Sequence, residues 1–206
     1  MSVSENSRIM LENPPSVVIS DPTLRDGNHA VQHQLNCEQI AAYAAAADAA
    51  GVPIVEVGHG NGLGASSLQV GLCAVDDATM LSTARNSLKR SQLGVHVIPG
   101  FATIRNLEIA IDCGVDVFRV ASHCSEADIT ARHLAYLRGR NLTAHGVLMM
   151  SHMIPAEALA TEAAKMESYG AQAVIIMDSA GTYLPADVAA RVELLVSTLS
   201  IPVGFH

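Results

Sequence analysis

Short apolar runs alternate along this chain with longer amphipathic or alanine-rich stretches, the pattern of repeated βα units around a parallel sheet. The runs predict strands at 16–20, 53–58, 93–99, 116–121, 142–150 and 171–177, with a seventh beginning at 201. Between them the spacing predicts helices over 36–50, 76–89, 103–113, 126–139, 155–169 and 185–199. Asn36 stands where an N-cap belongs, and Gly51 and Gly114 stand where helices close. Seven strands and six helices fit an incomplete (β/α)8 TIM barrel of the α/β class. A doubly wound sheet more often has five or six strands and one phosphate fingerprint. The expected organisation is a disordered or extended tail over 1–15 and a truncated TIM-barrel catalytic domain over 16–206.

Composition narrows the class of partner. The 206 residues are 50% hydrophobic and 16% charged, as in a globular domain, and the net charge is -8. No run of Lys or Arg offers phosphates a positive surface, so nucleic acid is excluded as the expected partner. No apolar stretch reaches the ~18–20 residues of a membrane span. Four cysteines without C-x-x-C spacing, and a start without a secretory pattern, point to free thiols and a cytoplasmic protein.

In a barrel, chemistry sits at the C-terminal ends of the strands. Arg25, Asp26 and His29 fall after strand one, His59 after two, His123 after four, His152 after five, Asp178 and Ser179 after six, and His206 on seven. Asp26 and His206 are the candidate metal ligands, and a carboxylate with imidazoles suits Mn²⁺, Mg²⁺ or Co²⁺ better than structural zinc. Arg25 could stabilise an oxyanion, and His29 could act as a general base near neutral pH. The plain alternative for Asp21 to His29 is a polar turn closed by an ion pair. His59, His123 and His152 are candidate pocket-lining residues.

Several other residues read as structural. Gly60-x-Gly62-x-Gly64 does not have the spacing of a dinucleotide fingerprint, so close backbone approach or tight turns are expected there. Glu56 would point into the barrel and need a partner. His96 and His145 read as core hydrogen-bonding groups, His33 and His133 as ordinary helix or loop positions, and Cys124 as an inert thiol. Met149, Met150 and Met153 are expected to pack the pocket wall.

Asp21-x-Thr-Leu-Arg-Asp-Gly27 resembles the opening motif of a metal-dependent, pyruvate-processing barrel superfamily. That superfamily includes hydroxymethylglutaryl-CoA lyase, isopropylmalate synthase and 4-hydroxy-2-oxovalerate aldolase. Asn28-His29, Glu56-Val-Gly-His-Gly60, Ser122 to Asp128, Met149 to Met153 and Asp178-Ser-Ala-Gly181 resemble its aldolase branch.

The resemblance implies a class II aldolase that cleaves a 4-hydroxy-2-oxoacid to pyruvate and an aldehyde, in catabolism of aromatic or steroid compounds. It implies a divalent metal, Mn²⁺ first, held by Asp26 and His206. Arg25 would act on the enolate, His29 would handle the 4-hydroxyl proton, and Ser179 would help bind the oxoacid. It also implies an acylating aldehyde dehydrogenase as partner and leaves a homo-oligomer open.

The family's second metal histidine would lie two residues beyond His206, where the sequence ends. The expectation is therefore little turnover by these 206 residues alone and activity in a chain continued through the last barrel unit. A catalytically inactive barrel fragment and a CoA-ester lyase or synthase are the alternatives.

Overall fold

A computed structural model describes residues 17–206; the expected tail over 1–15 lies outside the described residues. The strands are β1 Ser20–Leu24, β2 Ile54–Val57, β3 Gln92–Val97, β4 Val117–His123, β5 Thr143–Met149, β6 Ala173–Ile176 and β7 Val203–Phe205. The helices are α1 Cys37–Ala49, α2 Asp77–Ser87, α3 Ile104–Asp112, α4 Ala131–Gly139, α5 Ala156–Tyr169 and α6 Pro185–Thr198. All neighbouring strands are parallel, and their order in the sheet is their order in the chain. This winding, with a helix between most successive strands, is that of a barrel in one rotational sense, and β1 and β7 are its edges among the described residues.

The helices begin where side chains replace missing backbone partners. Asn36 and Gln39 close a reciprocal capping box on α1, Thr103 and Asn106 do the same on α3, and Asp76 accepts from Thr79 on α2. The core lies between these helices and the sheet. It is built on Ile40, Met80, Leu81, Leu107, Leu134, Leu137, Leu159 and Met166 from the helix side, all fully buried.

Two element boundaries differ from expectation. The first strand is later than 16–20: Val17, Val18 and Ile19 are 83%, 65% and 61% exposed, and the regular ladder starts at Ser20 opposite Ile54. The apolar run signals extended chain, but it lies on an open sheet edge that buries none of it. A register shift between Asp21 and Leu24 accommodates Pro22, which has no N–H to donate. The fourth helix does not start at 126 either, because Ala127–Thr130 is a 3-10 turn and the α-helix begins at Ala131.

The inward faces of the strands carry an unusual amount of charge. Glu56 on β2, His96 on β3 and Arg119 on β4 are buried, and His145 on β5 is half-buried. The register pairs His96 with Arg119 and Arg119 with His145, so the three form a row across neighbouring strands. Burial, with Arg119 adding to it, lowers the His145 pKa to about 4. Burial lowers His96 to about 3 as well, against the attraction of Glu56. The expectation that these rings make core hydrogen bonds fails for His96 Nδ1, which is buried without a partner.

Acid should therefore unfold this protein early. Both folded-state histidine pKa values lie below the usual 6.5, so the unfolded chain takes up protons that the folded chain refuses. Stability falls as pH drops from about 6.5 toward 4, and Glu56, lowered from 4.5 to about 2, extends the loss further down. Denaturant midpoints measured from pH 7 to pH 4 should decline steadily, and His145→Leu should flatten the slope. A profile flat to pH 4.5 would contradict this reading.

Candidate active site

Because β1 ends at Leu24, Arg25 turns inward at the barrel mouth and is only 4% exposed. Its Nε donates to Glu56 Oε1 at 2.5 Å, and one Nη1 donates to Asp26 Oδ1 at 2.9 Å and to the Gly60 carbonyl at 3.3 Å. Nη2 is buried without a partner. Glu56, fully buried, accepts from Arg119 Nη1 at its other oxygen, at 2.7 Å. Burial pushes the Glu56 carboxyl up, but Arg119 and Arg25 outweigh it and lower its pKa to about 2. The partner required for Glu56 is thus two arginines, one from each side.

Asp26 to His29 form one 3-10 turn, anchored by Asn28, whose side-chain amide donates to the Gly58 carbonyl at 3.0 Å. The turn presents Asp26, 54% exposed, and His29 toward solvent. His29 stands edge-on to His33 and His59, at ring-centre distances of 5.0 and 6.2 Å. His33 and His59 are stacked at 3.7 Å. The His59 ring is fixed: Asn61 N–H donates to its Nδ1, which leaves Nε2–H to donate to the Gly71 carbonyl at 3.2 Å.

His33 is no ordinary loop residue. It is 6% exposed and sits at a φ of 62°. Burial, then its two histidine neighbours, lowers its pKa, so it backs His29 as a neutral ring.

The glycines of the 58–64 loop serve close approach, as expected. Gly62 has a φ of +89°, and a side chain there would collide with the His96 carbonyl. At Gly60 the His29 ring occupies the space a Cβ would need. Gly60→Ala should therefore swing His29 away from its seat while leaving the barrel intact. A fall in activity of at least about tenfold, with a melting temperature close to wild type, is the expected result. Equal losses in both would show that Gly60 serves only the fold.

The other expected site residues fall into separate groups. His206, half-buried at the end of the described chain, is close enough to Arg119, Arg25, Glu56 and Asp26 for their charges to act on its ring. Burial, Arg119 and Arg25 lower its pKa, against Glu56 and Asp26. The end of β7 thus returns to the residues of β1, β2 and β4.

His152 lies 3.8 Å from Asp178, and Asp178 is spent on the backbone N–H groups of Thr182 and Tyr183. Ser179 Oγ accepts from Met150 N–H at 3.0 Å, which leaves its hydroxyl hydrogen free to donate. His123 is turned to Ser125 at 2.8 Å. Cys124 is buried with its thiol pKa raised, first by burial, as an inert thiol requires. Met153 is 58% exposed and packs no wall, whereas Met149 joins the small apolar cluster around Val147. His133 is buried against the Ala102 carbonyl at 2.9 Å.

The donor set suits a hard or borderline divalent ion but is short. Asp26 offers a carboxylate oxygen free of Arg25, and His206 offers an imidazole in the same neighbourhood. No group of three ligating side chains forms among the described residues. Asp26 and His206 are the described residues that would hold such an ion.

The family model described as HMGL-like covers residues 16–206. The chain belongs to the HMGL-like family. This HMGL-like chain is 64% identical over 195 residues to a 4-hydroxy-2-oxovalerate aldolase of Spirochaeta aurantia, covering 94% of the chain and 57% of that protein. It is 57% identical over 191 residues to the protein of the same name from Pectobacterium atrosepticum, covering 92% of the chain and 56% of the relative. The chain therefore spans somewhat over half the length of these curated relatives.

Solved structures with a similar fold include two of different kinds. The carboxyl transferase domain of Rhizobium etli pyruvate carboxylase, with pyruvate and biocytin, matches at a TM-score of 0.80 and 17% identity, over 94% of this chain and 36% of that one. The N-terminal domain of a Bacteroides vulgatus protein described as an aldolase matches at 0.77 and 19%, over 92% and 64%. At such identities the likeness is one of fold: the incomplete TIM barrel expected from the strand count is the fold observed.

The sequence reading overlooked Arg119 and passed over His33 and His96 as bland. Arg119 lies in the apolar run Val117-Phe-Arg-Val-Ala121, and a lone charge within such a run was the available signal, although it does not tell which face the residue takes.

Proposed function

We propose that this chain carries the active site of a carbon–carbon lyase that cleaves 4-hydroxy-2-oxovalerate, or a homologue, to pyruvate and an aldehyde. The observation that carries the reading is Arg25: a buried guanidinium fixed by three acceptors, with Nη2 unpaired and His29 on the same turn. The close identity to named aldolases supports it.

The residues divide the work by position. Arg25 binds the oxoacid through Nη2 and neutralises charge that grows on its 2-oxygen as the carbon–carbon bond breaks. His29, exposed at the mouth, takes the proton of the 4-hydroxyl, which turns that carbon into the aldehyde carbonyl. Ser179 donates its free hydroxyl hydrogen to the oxoacid carboxylate. Asp26 and His206 would hold the divalent ion, Mn²⁺ in the first instance. When bound, the ion supplies Lewis-acid polarisation of the 2-oxo group.

The enolate then gains a proton at its methylene carbon, balancing the one removed from the 4-hydroxyl, pyruvate is released, and the aldehyde would pass to an acylating aldehyde dehydrogenase. The wider setting proposed is catabolism of aromatic or steroid compounds in the cytoplasm. No described helix is long and apolar enough to cross a membrane.

The test compares substrates on protein produced at the length of the curated relatives. Pyruvate release from 4-hydroxy-2-oxovalerate, with cleavage of CoA thioesters absent, is the expected result. Turnover of CoA thioesters with none of the oxoacid would replace this reading by that of a CoA-ester lyase.

A further inference from the structure

We infer that Arg119 is a positioning residue of this site, acting through Glu56 to hold Arg25 in place; the inference rests on the lyase reading above. Arg119 is 4% exposed in the middle of β4. Its Nη1 donates to Glu56 Oε2 at 2.7 Å while Arg25 Nε donates to Oε1 at 2.5 Å. A carboxylate bound at one oxygen can turn about its last bond. Bound at both, from two strands, it cannot. Arg119 thereby fixes the plane of Glu56, and Glu56 fixes the guanidinium whose buried Nη2 is left without a partner.

The surroundings are arranged so that nothing competes for this carboxylate. His96 and His145 flank Arg119 in register on β3 and β5, and burial keeps both neutral. Neither ring forms a hydrogen bond to Glu56, so both carboxylate oxygens belong to the arginines. The only cations on Glu56 among the described residues are Arg25 on β1's end and Arg119 across β3 from it. Arg119 hydrogen-bonds to none of the residues of the catalytic turn; its charge also reaches the His206 ring, and the route inferred here is the one through Glu56 and Arg25.

The test is a double-mutant cycle on protein of the curated relatives' length. Two readouts are taken: steady-state cleavage of 4-hydroxy-2-oxovalerate, and deuterium exchange at the pyruvate methyl group in D2O, which reports enolate formation without cleavage. Arg119→Met should lower kcat and the exchange rate at least about tenfold with KM within about threefold, and Arg119→Lys should recover most of both. Added to Arg25→Lys, Arg119→Met should cost nothing more, because no guanidinium remains at position 25 for Glu56 to orient.

Wild-type kcat in Arg119→Met, or losses that multiply in the double variant, would overturn the inference and leave a purely structural arginine. If Arg119→Met does not fold, the cycle is run with Arg119→Lys, whose smaller loss must vanish beside Arg25→Lys. A wild-type protein that neither cleaves nor exchanges overturns the lyase reading itself. An active wild type with an indifferent Arg119 overturns this inference alone.

Discussion

Arg25→Ala should lower kcat for pyruvate release by roughly 10²–10³, the usual loss when a fixed donor to a developing oxyanion is removed. The expectation follows from how completely the side chain is committed. Glu56, Asp26 and the Gly60 carbonyl hold it, burial excludes water from it, and Nη2 is left for a ligand. Arg25→Lys should fall between, because one ammonium cannot serve Glu56 and a substrate oxygen in the fixed geometry of a guanidinium fork. Stability should change less than activity, since Glu56 retains Arg119. Kinetics and melting of both variants give the check, and a kcat for Arg25→Ala within about threefold of wild type would remove Arg25 from the site.

The largest structural effect is expected at Glu56. Glu56→Ala leaves Arg119 and Arg25 buried, each 4% exposed, with their shared carboxylate gone. Breaking a buried pair by deleting one partner typically costs about 3–5 kcal/mol, and here one deletion orphans two cations. Arg25 keeps some relief from Asp26, whereas Arg119 has no other ion-pair partner among the described residues. Urea denaturation should therefore show a large fall in midpoint, with Glu56→Gln losing less because its amide oxygen still accepts from one arginine. A loss below about 1 kcal/mol in Glu56→Ala would mean that water reaches the cluster and the barrel interior is not as dry as its burial indicates.

The fold was legible because a barrel is written locally. Each βα unit carries its own apolar run, cap and closing residue, and neighbouring units pair in chain order, so counting them recovers the sheet. The first strand was misplaced because Val17 to Ile19 have strand chemistry but lie on an exposed edge. The site was legible as far as one rule reached, that polar residues at strand ends face the barrel mouth. Arg25, Asp26, His29, His59 and His206, all named by that rule, lie near one another in the structure. The rule did not distinguish His123 and His152, which sit at the same end but turn to Ser125 and Asp178.

Arg119 was missed for a different reason. Its partner lies 63 residues away, and a strand arginine has no mark in the sequence to show which side of the sheet it faces. The stacking of His33 on His59 depends on a left-handed backbone at His33, which its neighbours in the sequence do not announce.

The most direct test of the account is the metal dependence of pyruvate release from 4-hydroxy-2-oxovalerate, measured at the length of the curated relatives. Chelation should abolish release, Mn²⁺ should restore it, and Asp26→Asn should show neither turnover nor bound metal. Release that survives chelation, or wild-type turnover and metal content in Asp26→Asn, would contradict the site described here.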